Sequence, residues 1–295
     1  GMRGLGQIKA MCAIARPDVA VISNVGSTHV GELGSLDNIA KEKSEILEDL
    51  PSNGCAVLNG DLPRVRAMEK KLHTGVSWFG FTEADDVRAE NVEITADGSR
   101  FICKTADGSA EFFIPQIGEH NVMNALSAIA VGRHFGVQLN NIKTALQGTV
   151  LTGSRQELLH FGSYTVINDA YNASPASMEA AFATLARLKQ SAQPPCRTIA
   201  VVADMLELGD TAAEAHQSVG RMAAKAKTDI LLGYGEETKA TVDAAAAEGV
   251  PAFHFAHRQG AAKKLTEILK PGDIVLLKGS HSMQVSGIID LVFKK

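Results

Sequence analysis

The sequence predicts an α/β protein of two domains: a mostly parallel-sheet domain followed by a Rossmann-like, doubly wound one. Three observations carry this. From residue 198 onward, short apolar runs alternate regularly with helix-patterned stretches, the signature of βαβ units. The earlier runs Val19-Ala20-Val21-Ile22 and Cys55-Ala56-Val57-Leu58 are continuously apolar, as strands buried on both faces are. The 295 residues exceed what one core ordinarily holds. The domains are placed at residues 1–152 and 153–295.

Composition excludes several classes. At 45% hydrophobic and 21% charged, the chain is globular rather than disordered. A net charge of -4 argues against a general nucleic-acid surface but leaves room for anionic ligands in local pockets. Cys12, Cys55, Cys103 and Cys196 are scattered without a C-x-x-C pair, so neither a disulfide framework nor a zinc site is indicated and a reducing compartment is expected. No apolar run is long enough to span a bilayer and no signal-peptide pattern leads the chain, so membrane insertion is not expected and a cytoplasmic location is. Gly1-Met2-Arg3-Gly4 runs almost at once into a helical pattern, Ile8, Met11, Cys12 and Ile14, that needs a partner; an upstream part is expected to be missing.

In the first domain, strand 19–22 ends in Ser23-Asn24-Val25-Gly26-Ser27-Thr28-His29. His29 is open to three readings: metal ligand, phosphate contact or solvated loop histidine. The next helix starts at an N-cap, Ser35, and on a 3.6-residue wheel Leu36, Ile39, Ala40, Ile46 and Leu47 form one apolar stripe. Lys43 falls inside that stripe, whereas Lys41, Glu42, Ser44, Glu45 and Glu48 fall outside it. A lysine so placed must snorkel, pair, lose its charge or be modified, because an unpaired buried ammonium is costly. Further strands are predicted at 55–59 and 76–81, then shorter antiparallel ones over 87–105 and 110–114, with Asp107-Gly108 as a hairpin turn. Gly118-Glu119-His120-Asn121-Val122-Met123-Asn124 opens a helix running to 135. Asn121 and Asn124, three apart near its start, suit either a nucleobase edge or the holding of a loop.

The stretch 149–180 joins the domains and carries the densest chemistry. It holds Arg155 in a Gly-Ser loop, a strand at 164–167, the polar cluster Asn168-Asp169-Ala170-Tyr171-Asn172-Ala173-Ser174-Pro175, and a helix with Ser174 at its N-cap and Pro175 at its first position. Strand, polar turn, helix is how α/β proteins place ligand-binding groups, and it is equally the composition of an ordinary turn. Strands at 198–202, 230–232, 252–255 and 274–277 then alternate with helices at 212–226, 236–248 and 259–269, before a last helix to about 293. They form a parallel sheet with right-handed crossovers. Ligand-facing loops are expected at 204–209 and 278–283. Lys278, before Gly279-Ser280, suits an anion or is a solvated strand-end lysine. No G-x-G-x-x-G follows a strand, so a dinucleotide is not indicated.

In this order, these stretches resemble the Mur ligase family: Gly1-Met2-Arg3-Gly4-Leu5-Gly6-Gln7-Ile8; Ala15-Arg16-Pro17-Asp18 through His29 to Gly34-Ser35; Ile39-Ala40-x-x-Lys43-x-Glu45-Ile46; Gly118-x-His120-Asn121-x-x-Asn124; Leu151-Thr152-Gly153-x-Arg155; Asp169 through Pro175 to Ser177-Met178; Asp204-Met205-x-Glu207-Leu208-Gly209; and Lys278-Gly279-Ser280. The resemblance covers essentially the whole chain. It implies a central ATP-binding domain, partial and without its phosphate loop, at 1–152, and the C-terminal domain at 153–295. The reaction implied is ATP-driven amide formation through an acyl phosphate, in bacterial peptidoglycan precursor synthesis. The runs around Tyr171 and 204–209 favour the member that adds D-Ala-D-Ala to UDP-N-acetylmuramoyl-tripeptide.

The roles implied by the resemblance are these. His29 is a Mg2+ ligand, and Lys43 is carbamylated and so also able to meet Mg2+. Asn124, with His120 and Asn121, faces the adenine of ATP, Arg155 its phosphates and Asp169 its ribose. His29, Lys43 and Arg155 form the catalytic set. Tyr171, Asn172, Ser174, Lys278 and Ser280 bind substrate, Tyr171 and Asn172 at an interdomain cleft. A monomer is expected, with no nucleic-acid partner.

The chain also departs from the family pattern. No G-x-x-x-x-G-K-[ST] occurs, nor does the acidic residue the family places before its first glycine. Gly31 stands where an acidic residue is common, beside Glu32, and His281 where arginine is common. The chain is therefore expected to be inactive by itself. Two alternatives compete: a non-catalytic nucleotide- or peptide-binding paralogue, and a sibling amino-acid-adding ligase.

Overall fold

The computed structural model describes residues 2, 4–26, 30–95, 97–149 and 153–294, apart from the side chains of Glu32 and Lys71. The chain divides into two units, Gly1–Val150 and Leu151–Lys295. No helix among the described residues is long and apolar enough to cross a membrane.

The first unit is built on a sheet of six described strands in sequence order: β1 (Val19–Ile22), β2 (Cys55–Asn59), β3 (Gly75–Gly80), β4 (Val87–Thr95), β5 (Gly98–Thr105) and β6 (Gly108–Ile114). Pairings from β1 to β4 are parallel and those from β4 to β6 antiparallel. Every residue of β2 is buried, and its alternate side chains serve two cores. Cys55 and Val57 join Phe79, Phe101, Phe112, Leu126 and Ile129 on one face. Ala56 and Leu58 join Ile22, Val65 and Trp78 on the other. That two-sided burial is why the run reads as continuously apolar rather than alternating.

Around this sheet lie α1 (Gln7–Ala15), α2 (Val30–Leu33), α3 (Leu36–Ser44), α4 (Pro63–Arg66), α5 (Glu119–His134) and α6 (Leu139–Gln147). Ser35 caps α3, its Oγ accepting the Asn38 N–H at 3.1 Å. The helical wheel fails beyond Ser44, because the chain tightens there into a 3-10 turn over Glu45–Leu47. Glu45, in that turn, is therefore buried, and Glu42, still within α3, is buried as well, so neither lies outside the packed face. Glu45 has a reason to turn inward. Its carboxylate accepts the backbone N–H groups of Gly6 at 2.8 Å and Lys9 at 3.1 Å, supplying from a distance the cap that the N-terminus of α1 lacks.

The second unit has β7 (Glu157–Phe161), β8 (Tyr164–Asp169), α7 (Pro175–Ser191), β9 (Thr198–Ala203), α8 (Ala212–Lys225), β10 (Ile230–Tyr234), α9 (Thr238–Ala247), β11 (Ala252–Phe255), α10 (Arg258–Ile268), β12 (Ile274–Lys278) and α11 (Gly287–Val292). Its sheet runs β11-β10-β9-β12-β8-β7, parallel except for β7. The edge strand β7 is absent from the sequence-based expectation. It pairs with β8 through a two-residue turn, Gly162-Ser163, where Gly162 takes φ 58°. Because β12 inserts between β9 and β8, strands distant in sequence end side by side at the carboxyl edge of the sheet, where open α/β sheets bind ligands.

Candidate functional site

The carboxyl edge of the second sheet is organised by one buried ion pair. Lys278 ends β12 and lies in register with Asp169, which ends β8. Its Nζ is 2.8 Å from Asp169 Oδ2 and donates to the Asn172 carbonyl at 3.0 Å. Lys278 is 1% exposed and Asp169 8%. Burial pushes the Asp169 carboxyl up, opposed by the charges of Lys278 and Arg155, and pushes the Lys278 ammonium down, opposed by Asp169. Lys278 is therefore neither a solvated lysine nor an open cation; its charge is spent on Asp169 and on the loop behind it.

That loop is laced to the one carrying Arg155. The Tyr171 N–H donates to Ser154 O at 2.9 Å, and Asn168 Nδ2 donates to Ser154 Oγ at 3.2 Å and Glu157 Oε2 at 3.0 Å. The Gln156 N–H donates to Asp169 Oδ1 at 3.3 Å. Ser154 and Gln156 both take positive φ, 56° and 48°. This turn lays the Arg155 guanidinium 3.6 Å from the centroid of the Tyr171 ring. Tyr171 is 47% exposed, and its ring centre lies 5.8 Å from that of His281.

Ser174 and Ser280, expected to bind substrate, have structural partners. Ser174 Oγ accepts the Ser177 N–H and Ser177 Oγ accepts the Ser174 N–H, a reciprocal cap on α7. Ser280 is 4% exposed, and its Oγ accepts the Leu206 N–H at 2.9 Å. Asn172 Oδ1 accepts its neighbour Ala173 N–H at 2.9 Å.

In the first unit, Lys43 Nζ donates to Asn24 O at 2.7 Å. Burial lowers its pKa from 10.5, which raises the share of neutral amine. Asn121 and Asn124 point differently. Asn121 is buried, its Nδ2 donating to Ile117 O at 3.0 Å to hold the entry of α5, whereas Asn124 and His120 are exposed. His29 lies outside the described residues. Among the described residues no three His, Cys, Asp or Glu side chains converge as a metal site. They do not by themselves make a Mg2+ cage.

Asp204, quoted in the 204–209 motif, acts as an anchor, and His216, which no sequence motif singles out, joins it. Asp204 and His216 anchor the loops after β9 and β10 from within the core. The only sequence signal for His216 is its place on the buried stripe Ala215, His216, Val219, Gly220 and Ala223 of α8.

The comparisons with known proteins follow this division. A family model for the Mur ligase middle domain matches residues 1–132. One for the Mur ligase glutamate ligase domain matches residues 154–281. The chain is 34% identical over 99% of its length to a Bacillus subtilis protein named UDP-N-acetylmuramoyl-tripeptide–D-alanyl-D-alanine ligase, of which it covers 63%. It is 30% identical over 98% of its length to the Escherichia coli protein of that name, again covering 63%. The crystal structure of MurF from Acinetobacter baumannii superposes with a TM-score of 0.90 at 28% identity, covering 100% of this chain and 64% of that one. The chain thus spans less than two thirds of the length of these relatives. With both units matched in order and the fold shared from end to end, the chain belongs to the Mur ligase family.

Proposed function

We propose that this chain is the middle and C-terminal part of an ATP-dependent ligase that joins D-Ala-D-Ala to UDP-N-acetylmuramoyl-tripeptide. The observation that carries this reading is the unbroken similarity, through both units, to relatives bearing the name of that one reaction. A carboxylate oxygen is a poor leaving group. Transfer of the ATP γ-phosphoryl group makes the tripeptide carboxylate an acyl phosphate, and the dipeptide amine then displaces phosphate to give the amide. Positive groups stabilise the charge that develops in such transfers, and Arg155, oriented by the Tyr171 ring, is the cation assigned to the phosphates. Asp169, fixed by Lys278, is assigned to the ribose, and Asn124 with His120 to the adenine. A neighbouring structure, MurF of Thermotoga maritima, is described as a complex with ADP, in keeping with a nucleotide ligand.

Lys43 is assigned a carbamate. Its depressed pKa supplies the neutral amine that adds to carbon dioxide with loss of one proton, replacing a half-buried cation by an anion. Mg2+ would supply charge stabilisation when bound. The described residues do not form a cage for it.

The test is phosphate release with Mg-ATP, UDP-N-acetylmuramoyl-tripeptide and D-Ala-D-Ala, comparing this chain with a protein extended to the length of its relatives. Release that requires all three substrates, by either protein, supports the reading. Release by neither refutes it and favours a binding role without chemistry.

A further inference from the structure

The loop after β9 is clamped at three successive residues. The Ser280 N–H donates to Asp204 O at 3.1 Å, the Met205 N–H to His216 Nε2 at 3.0 Å, and the Leu206 N–H to Ser280 Oγ at 2.9 Å. Since Nε2 accepts, the imidazole hydrogen sits on Nδ1, which faces Ala212 O at 2.8 Å. His216 is 1% exposed, so a buried imidazole is committed on both nitrogens to backbone groups. Asp204 fixes the root of the loop. Its carboxylate accepts the N–H groups of Glu236 and Thr238, capping α9, whose own cap residue supplies no side-chain bond. This works only because Gly235, at φ 111°, leaves room for the carboxylate.

The clamped loop is unevenly exposed. Met205 is 1% exposed and Leu208 4%, but Leu206 between them is 43% exposed although its backbone N–H is held by Ser280. Leu206 borders Ser280, and the adjacent His281 touches the Tyr171 ring. The carboxyl edge of the sheet thus carries two exposed side chains with apolar surface, Leu206, whose backbone is bonded to Ser280, and Tyr171, whose ring faces His281. Small aliphatic groups on a polar backbone complement that pattern.

We propose that His216 is a positioning residue for amine recognition, and that Leu206 is the specificity contact it places against the small aliphatic side chains of the incoming dipeptide. The proposal rests on the ligase reading above. The clamp is tested in this chain by amide hydrogen exchange and imidazole nitrogen NMR. His216→Phe, which keeps a ring but removes the acceptor, accelerates exchange at Met205 and Leu206; His216→Gln, whose amide oxygen reaches a similar distance, restores protection. In the protein extended to its relatives' length, His216→Phe raises the KM for D-Ala-D-Ala about tenfold, as loss of one buried acceptor implies, and His216→Gln recovers it. Leu206→Gln, at an exposed site where folding is not at stake, raises the same KM about fourfold, the worth of one buried methylene. KM for ATP stays within about twofold in each, because neither residue is assigned to nucleotide. Unchanged exchange at Met205 and Leu206 in His216→Phe, or a dipeptide KM unmoved in Leu206→Gln, overturns the proposal while leaving the ligase reading standing. Absence of turnover by the unsubstituted protein overturns both.

Discussion

Replacing Lys278 by methionine tests how the carboxyl edge of the second sheet is held. The substitution keeps the length of the side chain and removes its charge. It deletes an ion pair at 2.8 Å and a donor to the Asn172 carbonyl at 3.0 Å, and leaves Asp169 8% exposed without its nearest cation. Removing one partner of a buried pair costs about 3–5 kcal/mol, much of it the desolvation of the charge left behind. The lower end applies here, because Asp169 keeps the Gln156 N–H and the field of Arg155; the expected loss is about 3 kcal/mol. With a urea m-value of about 2 kcal/mol/M, the midpoint of the affected transition in the whole chain falls by about 1.5 M, read by far-UV circular dichroism. Adding Asp169→Asn to Lys278→Met removes the stranded charge, and the double variant is expected to recover about half the loss. A Lys278→Met loss below about 1 kcal/mol, the level of an exposed pair, refutes the reasoning, as does a double variant less stable than the single one.

Lys43→Ala in the extended protein abolishes phosphate release, and short carboxylates supplied in solution restore part of it; unchanged activity sinks the carbamate assignment. Ser174→Ala, which removes the cap of α7, lowers stability by about 1 kcal/mol in thermal or urea unfolding. Asp61→Asn tests a linkage in the first unit. Burial first, and then the charge of Asp85, raise the Asp61 pKa above its ordinary 3.8. A carboxyl whose folded pKa is raised stabilises below its unfolded pKa and loses that contribution as pH rises through the folded value. The amide variant is therefore expected to be the more stable at neutral pH, with the gap closing below about pH 4. Urea midpoints at the two pH values, followed by the fluorescence of Trp78 in the same unit, decide it.

Much of this was legible in the chain because it is set locally. Strands 19–22, 55–59 and 252–255 stand where the apolar runs place them, and Ser35 and Ser174 cap the helices they precede. Hydrophobic period and cap chemistry act over a few residues, so no knowledge of the rest of the chain is needed to read them. The resemblance to the Mur ligases was carried by short motifs of the same reach. What only the tertiary structure decided lies between residues far apart. The pairing of Lys278 with Asp169 spans 109 positions and exists because β12 inserts beside β8. Glu45 turned inward because the N-terminus of α1, 39 residues earlier, offered it two N–H groups. Nothing in the pattern of helix 212–226 singles out His216, whose role exists because the fold brings the Met205 N–H against it. A buried polar group takes whatever partner the fold delivers, and strand order, which no local pattern encodes, decides what is delivered.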